Sequence, residues 1–265
     1  DGRDEDLVSG LEGGVAWHPV LSPDGATIAL SRKPPGKPWR IQTVPRGGGS
    51  LTTVLDVPFD TLWPQFHPDG ERLLFFTWPG RHRVGIVALD GSSLEWLTDE
   101  DDECGYPAVS PDGALLAYVR KRGDHERADI VVRPFEGGEE RTLVEGGTVP
   151  VFSPDGRMVA FAGGRTPSGR IGVVPVDGGE PRWLTTSGTW PTWMPDGREI
   201  AYADRTADGP QVARVVSIDG GEPRALSDYR WPGTNFPFTI DPETGHLLST
   251  NADGGNPSIW LAEYD

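Results

Sequence analysis

The sequence predicts an all-β fold, a six-bladed β-propeller with four antiparallel strands in each blade. Three observations lead to this prediction: one turn motif recurs six times, each copy is followed by apolar segments of strand length, and the chain starts and stops within one repeat. Repeats of roughly 20–50 residues are typical of solenoids and propellers. We therefore expect a single domain over residues 1–265.

The recurring motif is a Pro-Asp-Gly turn. Proline presets φ at the second position of a turn, the aspartate side chain accepts hydrogen bonds from the turn backbone, and glycine adopts a positive φ without strain. In the first five copies the aspartates lie 41 to 45 residues apart. The turns occupy residues 22–25, 67–70, 110–113, 153–156 and 194–197, with a looser copy, Asp-Pro-Glu-Thr-Gly, at 241–245.

Each repeat encodes four short strands around this turn. The first strand precedes the turn and contains a proline, such as Pro64, with a bulky residue before it in most repeats. The second is an apolar run, such as Leu115–Val119, and the third, such as Arg170–Val174, ends at a glycine turn. A fourth segment, such as Arg182–Thr185, completes the repeat. Apolar runs of this length between turn residues indicate strands rather than helices.

The two ends of the chain predict how the propeller closes. The last repeat stops after its third strand, Ser258–Ala262, and residues 1–10 contain a lone segment of the fourth-strand type. We expect this N-terminal strand to complete the sixth blade, which closes the ring without a covalent bond and leaves few exposed strand edges. The chain starts at Asp1 rather than at a methionine, so we expect it to be excised from a longer precursor.

Composition excludes several classes of function. A net charge of −16 argues against a nucleic-acid binder, which needs a basic face to neutralise phosphates. No apolar run is long enough to span a membrane. Separately, the chain is expected to be a monomer. The single cysteine, Cys104, forms no internal disulfide and is expected to be a partly buried small residue. Neither a Gly-x-Ser-x-Gly elbow nor metal-binding spacing of the histidines is present, so the sequence predicts no catalytic residue and no cofactor.

The repeat resembles that of TolB-like six-bladed propellers over essentially the whole chain. The resemblance rests on the pattern Pro-x-Φ-Ser-Pro-Asp-Gly-x-x-Ile-Ala-Φ, where Φ is apolar, and on the loop and strand at residues 253–260. It implies a bacterial domain in the periplasm or outside the cell that binds proteins or other ligands. Members of the family also serve as sensor domains of receptor kinases and as domains attached to peptidases. The α/β domain that precedes the propeller in TolB has no counterpart here, which argues against a full role in the Tol system.

A binding site is expected at the variable-loop end of the blades. We give this name to the end that carries the loops between second and third strands and the connections between repeats, because these segments differ most among the repeats. Bulky residues before the first-strand prolines are expected near the mouth of the central channel, where they either grip a peptide or sugar or pack between neighbouring blades. The candidate anchors are Trp63, Tyr106, Trp190 and Phe236, together with Trp231.

Basic residues cluster in loops at the same end. They are expected to steer an acidic partner toward the anchors, although solvated arginines are the plainer interpretation. The candidates are Arg81, Arg83, Arg120, Lys121 and Arg122. The acidic run from Asp99 to Glu103 is a weak candidate for a Ca²⁺ site because it lacks the ligand spacing of a dedicated calcium loop. A Ca²⁺ or other cation in the channel is compatible with the fold.

These observations predict a non-catalytic domain that binds a protein or peptide partner, one associated with the cell envelope. The first alternative is a metal-dependent hydrolase or lyase that acts on sugars or lactones in the channel, with scattered acids such as Asp60 and Glu103. The second alternative is the sensor domain of a receptor kinase.

Overall fold

The structure, a computed structural model, describes residues 4–8, 14–80, 82–101, 103–121, 128–163, 169–205, 211–231, 238–251 and 258–262. Every regular element in this part of the chain is a β-strand. The strands of the first half are β1 (Asp4–Val8), β2 (Val15–Leu21), β3 (Thr27–Lys33), β4 (Arg40–Pro45), β5 (Thr52–Thr53), β6 (Asp60–Phe66), β7 (Arg72–Trp78), β8 (Val84–Ala88), β9 (Glu95–Trp96), β10 (Glu103–Val109), β11 (Leu115–Lys121) and β12 (Asp129–Pro134).

The second half continues the same series. Its strands are β13 (Arg141–Val144), β14 (Gly147–Phe152), β15 (Met158–Gly163), β16 (Arg170–Pro175), β17 (Arg182–Trp183), β18 (Thr189–Trp193), β19 (Glu199–Arg205), β20 (Gln211–Ser217), β21 (Arg224–Trp231), β22 (Thr239–Ile240), β23 (Leu247–Asn251) and β24 (Ser258–Ala262).

These strands form four-stranded sheets, one for each repeat. Five sheets follow chain order, with the orders β2-β3-β4-β5, β6-β7-β8-β9, β10-β11-β12-β13, β14-β15-β16-β17 and β18-β19-β20-β21. The remaining sheet has the order β1-β24-β23-β22. Short antiparallel strands in meander order are propeller blades. The prediction of an all-β propeller with four-stranded antiparallel blades is therefore confirmed.

The last sheet contains the N-terminal strand, as the sequence predicts. β1 pairs antiparallel with β24, so that Asp4 lies opposite Ala262 and Asp6 lies opposite Trp260. The outer strand of the last blade thus comes from the other end of the chain. Whether residues 1–265 form a single domain stays a prediction.

The Pro-Asp-Gly turns have the structure that their residues predict. The Ser153 hydroxyl donates a hydrogen bond to Asp155 Oδ1 over 2.6 Å and accepts one from the Met158 N–H over 2.9 Å. This hydrogen bond from serine, together with those from backbone N–H groups, lowers the pKa of the Asp155 carboxyl. Gly156 completes the turn at a φ of 71°. The same bonds recur at Ser22 and Ser110, which explains why this phrase is repeated almost unchanged.

The chain divides into two compact units, Asp1–Pro107 with Asp241–Asp265, and Ala108–Ile240. In the first unit, apolar side chains of β3, β4, β6, β7 and β8 fill the space between two consecutive blades; the buried members are Ala29, Ile41, Val54, Leu55, Phe66, Leu73, Phe75 and Val87. A second cluster packs β2, β3 and β4 against β23 and β24. In the second unit, a corresponding cluster includes Ala160 and Ala162 of β15, Trp193 of β18 and Tyr202 of β19.

Candidate functional site

The residue before the first-strand proline has a left-handed backbone in five repeats. The φ values lie between 51° and 62° at His18, Trp63, Tyr106, Val149 and Trp190. An L-residue in this conformation costs about 1–2 kcal/mol. Where the pairing register is described, it shifts at this point of the first strand, as between Leu62 and Gln65 of β6, which identifies a β-bulge. The bulge recurs with four different side chains, so it is a property of the repeat rather than of one residue.

Three of these side chains contact one another from blade to blade in the first unit. The ring centroids of His18 and Trp63 lie 3.4 Å apart, and those of Trp63 and Tyr106 lie 4.9 Å apart in an edge-on arrangement. We call His18, Trp63 and Tyr106 the aromatic row. All three residues keep some solvent exposure, while both ring nitrogens of His18 are buried. The row is therefore a partly exposed aromatic surface carried by three consecutive first strands.

Packing behind the row holds these side chains in place. Tyr106 contacts Phe76, with centroids 5.1 Å apart, and Trp17 stacks on Trp39 at 4.3 Å. The Trp63 N–H donates a hydrogen bond to Ser31 Oγ of the preceding blade over 2.9 Å. The row thus performs the packing between neighbouring blades that was one of the two interpretations of these residues, and its residues stay partly exposed.

Burial around the row disfavours charge. It lowers the pKa of His18 well below its usual value of 6.5 and raises the pKa of the Tyr106 hydroxyl above its usual value of 10.0. Both groups are therefore neutral at physiological pH. Such a surface suits apolar or aromatic side chains of a ligand better than its charged groups.

The remaining predicted anchors are described to different extents. Trp190 occupies the equivalent bulge of β18 in the second unit and is partly exposed, whereas Val149 at the same point of β14 is buried. Trp231 is the last residue of β21, and its side chain is not among those described. Phe236 lies outside the described residues. The structure thus brings Trp63 and Tyr106 together with His18, which likewise precedes the first-strand proline of its repeat, Pro19.

Two predicted basic residues turn out to be matched within their own blades. Arg83 pairs with Glu100 at 3.2 Å, and its guanidinium lies over the Trp96 ring at 4.3 Å. Arg120 pairs with Glu140, which also accepts a hydrogen bond from the Tyr118 hydroxyl. Lys121 is an exposed residue at the end of β11. Arg81 and Arg122 lie outside the described residues. The described arginines therefore stabilise their blades, and the basic rim is narrower than the sequence indicated.

The contact between Arg83 and Trp96 belongs to a structural unit that the sequence analysis missed. Arg170 lies 3.5 Å from the centre of the Trp183 ring, at the equivalent position two blades later. In both blades a glycine two residues after the arginine sits opposite the tryptophan, at Gly85 and Gly172. We call this set the arginine–tryptophan module. Its signal is present in the sequence as Arg-Φ-Gly-Φ-Val followed by Trp-Leu-Thr at residues 83–87 and 96–98, and again at 170–174 and 183–185.

Candidate metal ligands do not converge in the part of the chain that the structure describes. No group of three or more His, Cys, Asp or Glu side chains close enough to hold a metal ion occurs there. Asp60, one of the scattered acids, accepts a hydrogen bond from the Trp39 N–H over 3.0 Å. His67 replaces the turn serine and pairs with Asp69 at 2.9 Å, which assigns it to the turn. Cys104 is buried.

Bulged first strands on successive four-stranded blades define a β-propeller, and a family match identifies its kind. The model of the TolB beta propeller domain matches residues 3–180 and, in a second and overlapping match, residues 53–265. The chain therefore belongs to the TolB β-propeller family. The described part of the chain contains no helix that is long and apolar enough to cross a membrane.

Similar proteins come from several functional classes. The uncharacterized peptidase YuxL of Bacillus subtilis (strain 168) is 29% identical over 170 residues, which are 58% of this chain and 24% of YuxL. The crystal structure of TolB from Acinetobacter baumannii has a TM-score of 0.72 and 18% identity over 96% of this chain and 64% of that chain. A gluconolactonase from Xanthomonas campestris has a TM-score of 0.73 and 17% identity over 100% and 90% of the two chains. At such identities the two structures show a shared fold, and this chain spans about a quarter of the length of YuxL.

Proposed function

We propose that this propeller is a non-catalytic domain that binds a peptide segment of a protein partner through the aromatic row. The observation that carries the proposal is the chain of ring contacts from His18 to Trp63 to Tyr106 on strained, partly exposed backbone positions. Strained backbone persists where the surrounding structure compensates for it, so the bulges hold these side chains in fixed positions. Aromatic side chains give a large contact area for a small loss of conformational entropy.

The neutrality of the row defines the part of the partner that it binds. His18 and Tyr106 carry no charge at physiological pH, so the segment bound there presents apolar or aromatic side chains. We propose that the domain lies in the periplasm or outside the cell. The family membership and the fold shared with TolB of Acinetobacter baumannii support this proposal.

The test begins with peptides selected from a random library against the purified chain. We expect Trp63→Ala to weaken the binding of a selected peptide at least tenfold. The control is Leu94→Ala, which removes an exposed side chain from the segment between β8 and β9 of the same blade and is expected to leave the affinity within twofold. Calorimetric titration of each variant gives the affinity, and circular dichroism shows whether it is folded.

Because loss of a packed tryptophan costs about 3–5 kcal/mol, Trp63→Phe serves as a second variant that keeps an aromatic ring. Equal affinity of the wild type, Trp63→Ala and Trp63→Phe would overturn the proposal, as would a library that yields no binding peptide. The same pair of substitutions at Trp190 tests whether the equivalent position of the second unit contributes.

A second candidate is the propeller of a larger peptidase, favoured by the match to YuxL. In that role the same row would contact peptide substrates. The full-length protein that carries this chain would then hydrolyse peptide amides with a fluorogenic leaving group, whereas a pure binding protein would not. The metal-dependent hydrolase or lyase and the receptor-kinase sensor stay predictions.

A further inference from the structure

Trp78 is the most exposed large hydrophobic side chain in the described residues, at 49% of its surface. It ends β7 at the variable-loop end of the second blade, and its indole stacks on the His82 ring with centroids 4.5 Å apart and planes inclined by 26°. A single exposed apolar side chain is ordinary on a protein surface. Two stacked rings, however, form a continuous aromatic platform.

The platform stands on a rigid base. Thr77 and Arg83 are joined by two hydrogen bonds, one from the Thr77 N–H to the Arg83 carbonyl over 3.0 Å and one from the Arg83 N–H to Thr77 Oγ1 over 3.1 Å. Arg83 itself is fixed by Glu100 and Trp96 in the arginine–tryptophan module. The hydrogen bonds between Thr77 and Arg83 therefore fix the two ends of the loop that carries Trp78 and His82.

An acidic segment lies directly beside the platform. It leaves the blade at Thr98, whose hydroxyl accepts a hydrogen bond from the Val84 N–H over 3.0 Å. It returns at Cys104, whose N–H donates to the His82 carbonyl over 2.7 Å. Both ends of residues 99–103 are thus tied to residues 82–84. All five residues at positions 99–103 are acidic in the sequence. The sequence around His82 contains two arginines, Arg81 and Arg83, and Arg83 already pairs with Glu100.

We propose that Trp78 and His82, together with the carboxylates of Asp99, Asp101 and Glu103, form a docking site for a cationic peptide segment of a protein partner. An arginine or lysine side chain of the partner lies over the indole face, where the ring quadrupole attracts it. The carboxylates at Asp99, Asp101 and Glu103, all exposed, attract the same charge and steer its approach. The chain itself places Arg83 on Trp96 and Arg170 on Trp183, so this pairing is stable within the fold.

This inference goes beyond the proposed function, because the platform shares no residue with the aromatic row. It also reverses the charge of the expected partner. The sequence favoured an acidic partner attracted by basic loops, whereas the geometry at this end of the second blade favours a basic one.

The probe is a fluorescein-labelled peptide of four Gly-Arg repeats, with four Gly-Gln repeats as the neutral control. Fluorescence anisotropy is measured with the wild type, Trp78→Ala, Trp78→Phe and Leu94→Ala, where the last removes the other large exposed hydrophobic side chain of the described residues. We expect Trp78→Ala to weaken the Gly-Arg peptide at least fivefold, Trp78→Phe to weaken it less, and Leu94→Ala to leave it unchanged. Replacing Asp99 and Asp101 by Asn should reduce the affinity and its dependence on salt.

Three results would overturn the inference. Equal binding by the wild type and Trp78→Ala would show that the peptide responds to the general negative charge of the chain, and absence of binding would remove the site. Tighter binding of a neutral oligosaccharide than of the Gly-Arg peptide would show that the platform does not select a cationic ligand. Trp63→Ala is expected to bind the Gly-Arg peptide normally, so failure at the platform is distinguishable from failure of the aromatic row.

Discussion

At the level of single residues, the position before the first-strand proline is left-handed in the five described repeats where it can be seen. The sequence identified these positions because bulky residues precede the prolines, but it gave no sign of their positive φ. The reason is physical: bulky residues rarely adopt this conformation in isolation, and here the shift of strand pairing imposes it. Sequence alone also left open whether Trp63 and Tyr106 pack or bind, because partial exposure depends on neighbours such as Phe76 and Ser31.

His18 makes the aromatic row sensitive to pH. Since burial lowers its pKa well below 6.5, the unfolded chain takes up a proton below about pH 6.5 that the folded protein excludes. The free energy of unfolding should therefore fall on acidification from pH 7.5 to 5.5, by roughly 1 kcal/mol from this group. His18→Phe keeps an aromatic ring without the titration, so it should lose less stability over this range. Urea unfolding at both pH values measures the difference, and equal losses in the two proteins would contradict it.

At the level of structural elements, the strands followed closely from the sequence. The last strand, Ser258–Ala262, has the predicted bounds because turn residues and apolar runs delimit it. The fourth segment predicted at Arg182–Thr185 begins at the predicted residue but ends two residues earlier, at Trp183. The arginine–tryptophan module escaped prediction because its members lie on two strands separated by a turn. Basic loop residues are ordinarily solvated, and the stacking of Arg83 on Trp96 depends on a pairing register that single-sequence patterns do not specify.

The glycine of the module is a sensitive test of its packing. A Cβ at Gly85 would lie 2.7 Å from Phe75 Cζ and 3.2 Å from Trp96 Cε3. Gly85→Ala should therefore lower the free energy of unfolding by about 1–3 kcal/mol, as overpacking does, and Gly172→Ala should behave alike. The control is Gly47→Ala in a turn of the first blade, where a Cβ would have no atom within 4 Å. Urea denaturation that ranks Gly85→Ala with Gly47→Ala would show that the module has room to adjust.

At the level of the whole molecule, an ion pair joins the first and last repeats. Arg46 contacts Asp241 at 2.5 Å across 195 positions of sequence. Asp241 is fully buried and stands where Ser22, Ser110 and Ser153 stand in other repeats. Burial by itself would raise the pKa of Asp241, but hydrogen bonds from the Glu243 N–H and Thr244 and the charge of Arg46 together lower it. The sequence predicted that strands join the first and last repeats, but it did not predict this ion pair. The sixth turn departs from the Pro-Asp-Gly pattern, so the aspartate at the serine position was not recognised as a partner for Arg46.

Removing the arginine should destabilise the protein more than removing both partners. We expect Arg46→Ala to lower the free energy of unfolding by about 2 kcal/mol, less than the roughly 3–5 kcal/mol of a fully buried pair, because the Arg46 side chain is 24% exposed. Adding Asp241→Ser restores the residue of the other repeats and should recover part of the loss. The effect of Arg46→Ala should shrink as the pH falls through the lowered pKa of Asp241, because the carboxylate is then protonated. Urea denaturation over a series of decreasing pH values tests both points. A further loss of stability in the double variant would refute the first, and an effect of Arg46→Ala that does not shrink with falling pH would refute the second.

The pairing of β1 with β24 also determines how this protein responds to mechanical load. Asp4 lies opposite Ala262 in an antiparallel pair, so a pull applied before Asp4 and after Ala262 acts on the same end of both strands. Such a load breaks the rungs of the ladder one after another instead of shearing them together. We therefore expect the last blade to yield first and at low force, peeling away its outer strand while the strands inside it still hold.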